Sequence, residues 1–356
     1  MADILGCGKE LHRIASHPYI GREDVLDKSR KKKIIGELNK TRKNSRKDPL
    51  KVTYYFQVHN TGEPASGLAD TARMILEHGT LKPWKAEGGS ADRKPENYDE
   101  FMSWIEDIAL LGYNQREKLE SGLIQIAYPS VFFSKRADKE MPFAQMMTAI
   151  AGEPVSAFSF YQGAKILDVE YPAALKKLFP RSVWPHDRIR KYLCLKPKDP
   201  IIGTIVKPKT GLTPALFSKS VLDAALAGAG FTKADENMHL TLKDVGKYVG
   251  RVVKDLKTAG FDLGRSAAPK GKRFLFAPHI TTDSENISDY AEAALEAGAN
   301  ALMFSPYYGG GFLKMAEIIR KFDVPVYAHT AGMNMSAGCL TWGFDPRVMY
   351  VLAAFF

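Results

Sequence analysis

Cysteine is scarce in this chain. Cys7, Cys194 and Cys339 are the whole complement, far apart and odd in number, which gives neither a disulfide framework nor a metal-binding spacing. Long apolar runs are missing too. No stretch of eighteen or more apolar residues occurs, so no membrane span and no membrane partner is expected. The opening MADILGCGKELHRIASHPYIG lacks the continuous apolar core and small-residue cleavage site of a secretory signal. A cytoplasmic, reducing compartment is the expectation. Aromatic residues are absent from the most basic segment, KSRKKKIIGELNKTRKNSRK. Residues 1–51 hold 14 Lys and Arg against 7 Asp and Glu, so +7 of the net +10 is concentrated there. Such a segment suits an acidic surface or a nucleic acid. With no ring to stack on a base, nucleic acid is not the expected partner. A solvated or weakly ordered basic extension over residues 1–50 is expected instead.

What is present is enough apolar material, 45% of 356 residues, for a large core in one large domain or two. From 51 to 185 the pattern is mixed. LKVTYYFQV alternates like a strand, GLADTARMILEHG reads as an amphipathic helix, GLIQIAYP and VSAFSF are strand-like, and YPAALKKLF is a short helix. A small α+β domain is expected there, joined onward through RSVWPHDRIRKYLCLKPKDP. From 186 to 356 the rhythm becomes regular. IIGTIVK, FTKADE, FLFAPHI, ALMFSPYY and VPVYAHT are apolar strands, each followed by a helical pattern, the last near DPRVMYVLAAFF. Thr213 and Pro214 supply a cap and a first-turn residue to the first of these helices. Five successive βα units indicate a parallel sheet covered by helices. An open doubly wound sheet or a (β/α)₈ barrel accommodates them.

A barrel collects its polar residues just after the strands, on its C-terminal face. Lys207 and Lys209, then Lys233, Asp235 and Glu236, then His279, Ser305 and His329 stand there. Strand alternation turns Lys233 and Asp235 one way and Ala234 the other, with Glu236 opening the loop. An inward lysine is costly unless paired or chemically changed. Two carboxylates give an oxygen-rich site for Mg²⁺. A lysine joins them as a ligand only if CO₂ makes it a carbamate, and K-x-D-E alone also reads as a plain ion-pair network.

The surrounding segments decide between these. GTIVKPKTGL (203–212) followed by GAGFTKADEN (228–237) resembles the large subunit of ribulose-1,5-bisphosphate carboxylase/oxygenase, RuBisCO. IQIAYPSVFF, MTAIAGEPVSAF and YPAALKKLF resemble successive segments of that family's N-terminal domain, and PYYGGGF (306–312) and VPVYAHTAG (324–332) extend the likeness downstream. It runs from about residue 52 to the C-terminus. The resemblance implies a small ferredoxin-like α+β domain followed by a (β/α)₈ barrel, of which about five units are present. It implies Mg²⁺ on carbamylated Lys233, Asp235 and Glu236, with Lys207 as the base that forms an enediol. Lys209 would support that base, and His329 would meet the substrate near the metal. It also implies a homodimer that shares its site between subunits when the barrel is complete.

The departures matter equally. The family's asparagine is replaced by Glu153, the arginine after the histidine by Thr330, and a His–Asp pair by Ser305–Pro306. HGTL (78–81) only faintly echoes the loop that a partner subunit supplies. Losing an arginine–phosphate contact removes a strong bidentate interaction. A kept metal centre with a changed substrate grip resembles the RuBisCO-like proteins, the form IV group. These enolise, isomerise or decarboxylate other phosphorylated sugars and sugar acids. Glu153, Gly310, Gly311 and Thr330 are the substrate-binding candidates. A carboxylase with unusual substitutions, or a non-catalytic binding protein using its basic extension, are the rivals. The end at VMYVLAAFF has no glycine stop or polar cap, and five units do not close a barrel. A truncated and inactive barrel is therefore expected.

Ordinary explanations exist for other residues. Gly203 and Gly211 read as turn glycines and GGG (309–311) as a loop bordering the site. His279 reads as a hydrogen-bonded structural histidine, His239 as surface, Met333 and Met335 as packing, and Cys339 as a buried small residue.

Overall fold

The structure is a computed structural model that describes residues 26–40, 48–61, 67–78, 98–134, 143–152, 155, 160–179, 183–264, 269–283 and 285–356. Glu153, Cys7, most of HGTL and most of VSAFSF lie outside the described residues. Two compact units are present. One comprises 1–179 and 333–351, the other 180–332 and 352–356.

The first unit begins with helix α1, Lys28–Leu38, where a solvated extension was expected. Its N-cap Asp27 accepts from the N–H groups of Ser29 and Arg30, both at 2.9 Å, which satisfies donors that a helix start leaves free. Asn39 then exchanges two hydrogen bonds with Ile105, donating to its carbonyl at 2.8 Å and accepting from its N–H at 3.0 Å. Lys31 meets Asp107 at 2.8 Å. The charge run is thus in part a docked helix.

Strand β1 (Leu50–His59), helix α2 (Leu68–His78), strands β2 (Trp104–Asn114) and β3 (Leu119–Tyr128), helix α3 (Phe143–Ala151) and strand β4 (Tyr161–Glu170) follow. The order βαββαβ, with β1 antiparallel to both β4 and β3, and β2 antiparallel to β3, is the ferredoxin-like arrangement. Central β1 carries Tyr54, Tyr55 and Phe56, all fully buried, as a strand flanked on both sides demands.

In the second unit, helix α4 (His186–Tyr192) forms within the segment read as a join. Pro185 precedes its first turn, Asp187 lies within that turn, and Arg190 and Lys191 occupy the last, charges that complement the helix dipole. Then come β5 (Gly203–Ile205), α5 (Pro214–Leu226), β6 (Phe231–Lys233), α6 (Leu242–Thr258), the short parallel pair β7 (Phe261–Asp262) and β8 (Lys272–Arg273), β9 (Leu275–Ala277), α7 (Ile287–Glu296), β10 (Leu302–Phe304), α8 (Gly311–Phe322) and β11 (Val326–Ala328). Thr213 accepts from Leu216 N–H at 3.3 Å to cap α5. β5 pairs with β6, β6 with β9 and β10 with β11, all parallel. The bridge between His279 and Met303, also parallel, joins β9 to β10. Five strands in sequential parallel order, with helices between them, give the expected barrel portion.

After β11 the expected final helix is preceded by an extra strand, β12 (Trp342–Phe344), and forms as α9 (Pro346–Phe355). β12 pairs parallel with β4 in the first unit's sheet, Trp342 opposite Ala164 and Phe344 opposite Ile166. It covers an edge that would otherwise expose unpaired backbone. Buried Lys165 on β4 donates to the carbonyls of Ala337, at 2.9 Å, and Cys339. Burial pushes Lys165 below the ordinary lysine range, against the opposing charge of Asp345.

Several ordinary readings change. Cys339 is exposed, because its carbonyl rather than its thiol serves the buried contact. Met335 is exposed, while Met333 is buried as expected. Gly203 is a strand residue whose absent Cβ would lie 1.9 Å from the ring of Phe231, so close approach, not a turn, requires glycine. Gly211 is a turn glycine, with φ +82°. Among the described residues no helix is long and apolar enough to cross a membrane.

Candidate functional site

Parity on β6 determines the site. Phe231, Lys233 and Asp235 share one face, and the ring of Phe231 lies 5.9 Å from that of Tyr327 on β11. Thr232 takes the other face, beside Phe276, which packs against Phe217 of α5. Leu193, Leu275, Ala277, Ala301 and Met303 fill an apolar layer. Lys233, Asp235, His279, Ser305 and His329 follow at the C-terminal ends of their strands, as expected.

Lys233 is 7% exposed and Asp235 1% exposed. The Lys233 ammonium lies 3.1 Å from Glu236 Oε2 and 5.8 Å from the centre of the Tyr327 ring, within cation–π range. Lys207, itself largely exposed, forms an ion pair with Asp235 Oδ2. Asn237 donates its backbone N–H to Asp235 Oδ1 at 2.8 Å, and its side-chain amide lies 3.3 Å from that atom and 3.4 Å from Glu236 Oε1. Burial pushes the Asp235 carboxyl up, but Lys207 and Asn237 outweigh it and hold the group down at about 2. Glu236 is likewise held low against burial, by its own backbone N–H and by Lys233 and His329. Both carboxylates are ionised.

His329 accepts from Ala331 N–H through Nδ1 at 3.1 Å, so its proton sits on Nε2, which points at Glu236 Oε2 from 3.3 Å. Burial and then the charge of Lys233 push it below the ordinary histidine range, leaving a neutral donor. Lys207 departs from expectation. A base needs a lowered pKa, whereas its hydrogen bond to Asp235 pushes it up. As long as that ion pair holds, Lys207 stays protonated.

Lys209 stands exposed in the loop, outside the hydrogen-bonded cluster. Thr330 follows His329 directly. Gly310 and Gly311 adopt φ of +90° and +80° at the start of α8, a backbone need that explains glycine there without a ligand. His239 is exposed, as expected. Sequence reading passed over Asn237 and Tyr327. Asn237 stood within the quoted motif, and Tyr327 shares alternation with His329.

Among the described residues no three His, Cys, Asp or Glu side chains gather to hold a metal. Two carboxylates alone leave a hard dication short of anionic protein ligands, and Lys233, which stands beside them, would add a third only as a carbamate. In that form the donor set fits Mg²⁺.

The model of the ribulose bisphosphate carboxylase large chain catalytic domain matches residues 188–354. Over those residues the chain is similar to the RuBisCO large-chain superfamily. It is 28% identical over 238 residues to a ribulose bisphosphate carboxylase of Methanocaldococcus jannaschii, covering 67% of this chain and 52% of that one. It is 25% identical over 235 residues to a 2,3-diketo-5-methylthiopentyl-1-phosphate enolase of Bacillus cytotoxicus, covering 65% and 52%. The fold is similar to the crystal structure of a rubisco-like protein from Burkholderia fungorum, with TM-score 0.67 and 19% identity over 87% of this chain and 71% of that one. The chain spans about half the length of the two curated relatives.

Proposed function

We propose that this RuBisCO-superfamily chain serves an Mg²⁺-dependent enolisation of a phosphorylated ketose or sugar acid. The observation that carries the reading is the buried Lys233–Asp235 pair of positions on one face of β6, with Glu236 and His329 closing on it. Lys233 as its carbamate, Asp235 and Glu236 would hold the metal. When bound, Mg²⁺ stabilises an oxyanion as a Lewis acid. Lys207 removes the proton beside the substrate carbonyl after releasing Asp235. Neutral His329 donates from Nε2 to an oxygen near the carboxylates. The rings of Tyr327 and Phe231 flank the Lys233 side. The shared site of a homodimer belongs to the same reading.

The test is Mg²⁺ binding by calorimetry with and without bicarbonate. Bicarbonate is expected to promote binding in the unmodified chain, and Lys233→Ala to abolish that promotion. Equal affinity in the variant overturns the reading. Thr330, in place of a phosphate-gripping arginine, favours enolisation over carboxylation. Phosphoglycerate formed from ribulose bisphosphate and CO₂ would select the carboxylase instead.

A further inference from the structure

Two polar atoms on the inner face have no partner. His279 Nε2 and Ser305 Oγ are buried without a hydrogen bond among the described residues. Both belong to the end of the strands where Lys233, Asp235 and His329 stand. His279 bridges to Met303, and Ser305 follows directly after β10, so the two stand at the same end of adjacent strands between β6 and β11.

Their protonation follows from their neighbours. His279 Nδ1 lies 3.3 Å from the carbonyl of Met238. A carbonyl only accepts, so the proton is on Nδ1 and Nε2 presents a bare lone pair. Burial pushes His279 below the ordinary histidine range, which keeps the ring neutral. Ser305 is 4% exposed. Its backbone is fixed by its N–H to Thr281 Oγ1 at 2.9 Å and by its carbonyl accepting from Gly309 N–H at 3.0 Å. A Cβ on Gly309 would come within 3.0 Å of Thr281, Phe304 and the Ser305 carbonyl, so this loop permits no bulk there. The Ser305 hydroxyl is held in place with no hydrogen-bond partner among the described residues.

Native proteins rarely leave such atoms unsatisfied, because each costs stability. We propose that His279 Nε2 and Ser305 Oγ bind a hydroxyl group on the carbon chain of the substrate. A lone pair and a neutral hydroxyl suit an O–H, which donates to Nε2 and accepts from Oγ. They do not suit a phosphate dianion, since Nε2 would repel it. The substrate then carries its free hydroxyl toward β9 and β10 and its reacting oxygen toward β6. This rests on the enolisation reading for the substrate's phosphate and carbonyl, but not for the hydroxyl itself.

The experiment compares ribitol 5-phosphate with pentyl phosphate, which lacks the hydroxyls, by calorimetry on the intact chain with Mg²⁺. Ribitol 5-phosphate is expected to bind about tenfold more tightly, a difference of about 1.4 kcal/mol. His279→Phe and Ser305→Ala should each bring that ratio close to one and leave pentyl phosphate unchanged. His279→Gln, which keeps an acceptor, should restore part of it. Ser305→Ala should also raise the thermal midpoint, since it removes an unpaired buried hydroxyl; a purely structural serine would lower it. A ratio unchanged in all three variants, or no binding of ribitol 5-phosphate at millimolar concentration, overturns the proposal. Failure of the enolisation reading is separate. It appears as Mg²⁺ affinity indifferent to Lys233→Ala, while the hydroxyl preference still depends on His279.

Discussion

At Tyr54 one hydroxyl serves two partners. It donates to the carbonyl of Ile150 at 2.8 Å, in the last turn of α3, and lies 2.8 Å from the hydroxyl of Tyr128, which therefore donates to it. The carbonyl is one of those that a helix end leaves free, so a strand side chain completes a helix terminus. Burial pushes Tyr54 well above the ordinary tyrosine range, and the pair stays neutral. Tyr54→Phe leaves two buried groups unsatisfied and should cost about 1–3 kcal/mol in urea unfolding. Tyr54→Phe with Tyr128→Phe should cost less than the sum of the single variants, because the second removes one of those orphans. Single residues at the candidate centre were legible for a local reason. Alternation over FTKADE fixes which side chains share a face. The unpartnered atoms of His279 and Ser305 were not legible, since partner lists depend on strands distant in sequence.

Pairs of elements carry the next level. Ser218 on α5 donates to Asp255 on α6 at 2.7 Å, and Arg251 on the same helix reaches the same oxygen at 2.7 Å. The ring of Phe217 meets that of Tyr248 at 5.7 Å. Arg251 first, then Ser218, lower the Asp255 pKa. A carboxyl lowered in the folded state adds stability above its unfolded value, about 3.9, and loses it as pH falls through the folded value. Unfolding midpoints should therefore drop below about pH 4, and Asp255→Asn should flatten that part of the curve. Ser218→Ala should cost about 1 kcal/mol at neutral pH. Helices and parallel strands of this unit were readable because apolar runs and caps are local. β2 was passed over because two register shifts, between Ile105 and Asp107 and between Leu110 and Gly112, break the two-residue period. α1 was hidden by its charge, since the cap at Asp27 and the clasp at Asn39 count for nothing in a net total.

For the molecule as a whole, the path of the chain matters most. Residues 333–351 return to the first unit, and β12 completes its sheet. Gly343 makes this possible. Its φ is +91°, and a Cβ there would lie 2.1 Å from the carbonyl of Ser336. Gly343→Ala should cost about 2 kcal/mol or more, from left-handed strain plus that clash. Loss of β12 pairing should show as faster hydrogen exchange along β4, at Ala164 to Ile166. Three residues of strand could not announce this from sequence, because the partner lies about 180 positions earlier.

That separation sets a timetable. A ribosome adding residues at roughly 5–20 per second needs roughly ten to forty seconds to go from β4 to β12. Throughout that interval the nascent sheet waits with the β4 side unmatched, while an entire second unit is being made. Such an edge is what chaperones and neighbouring nascent chains recognise. The sheet of the first unit therefore stays one strand short until residue 344 emerges.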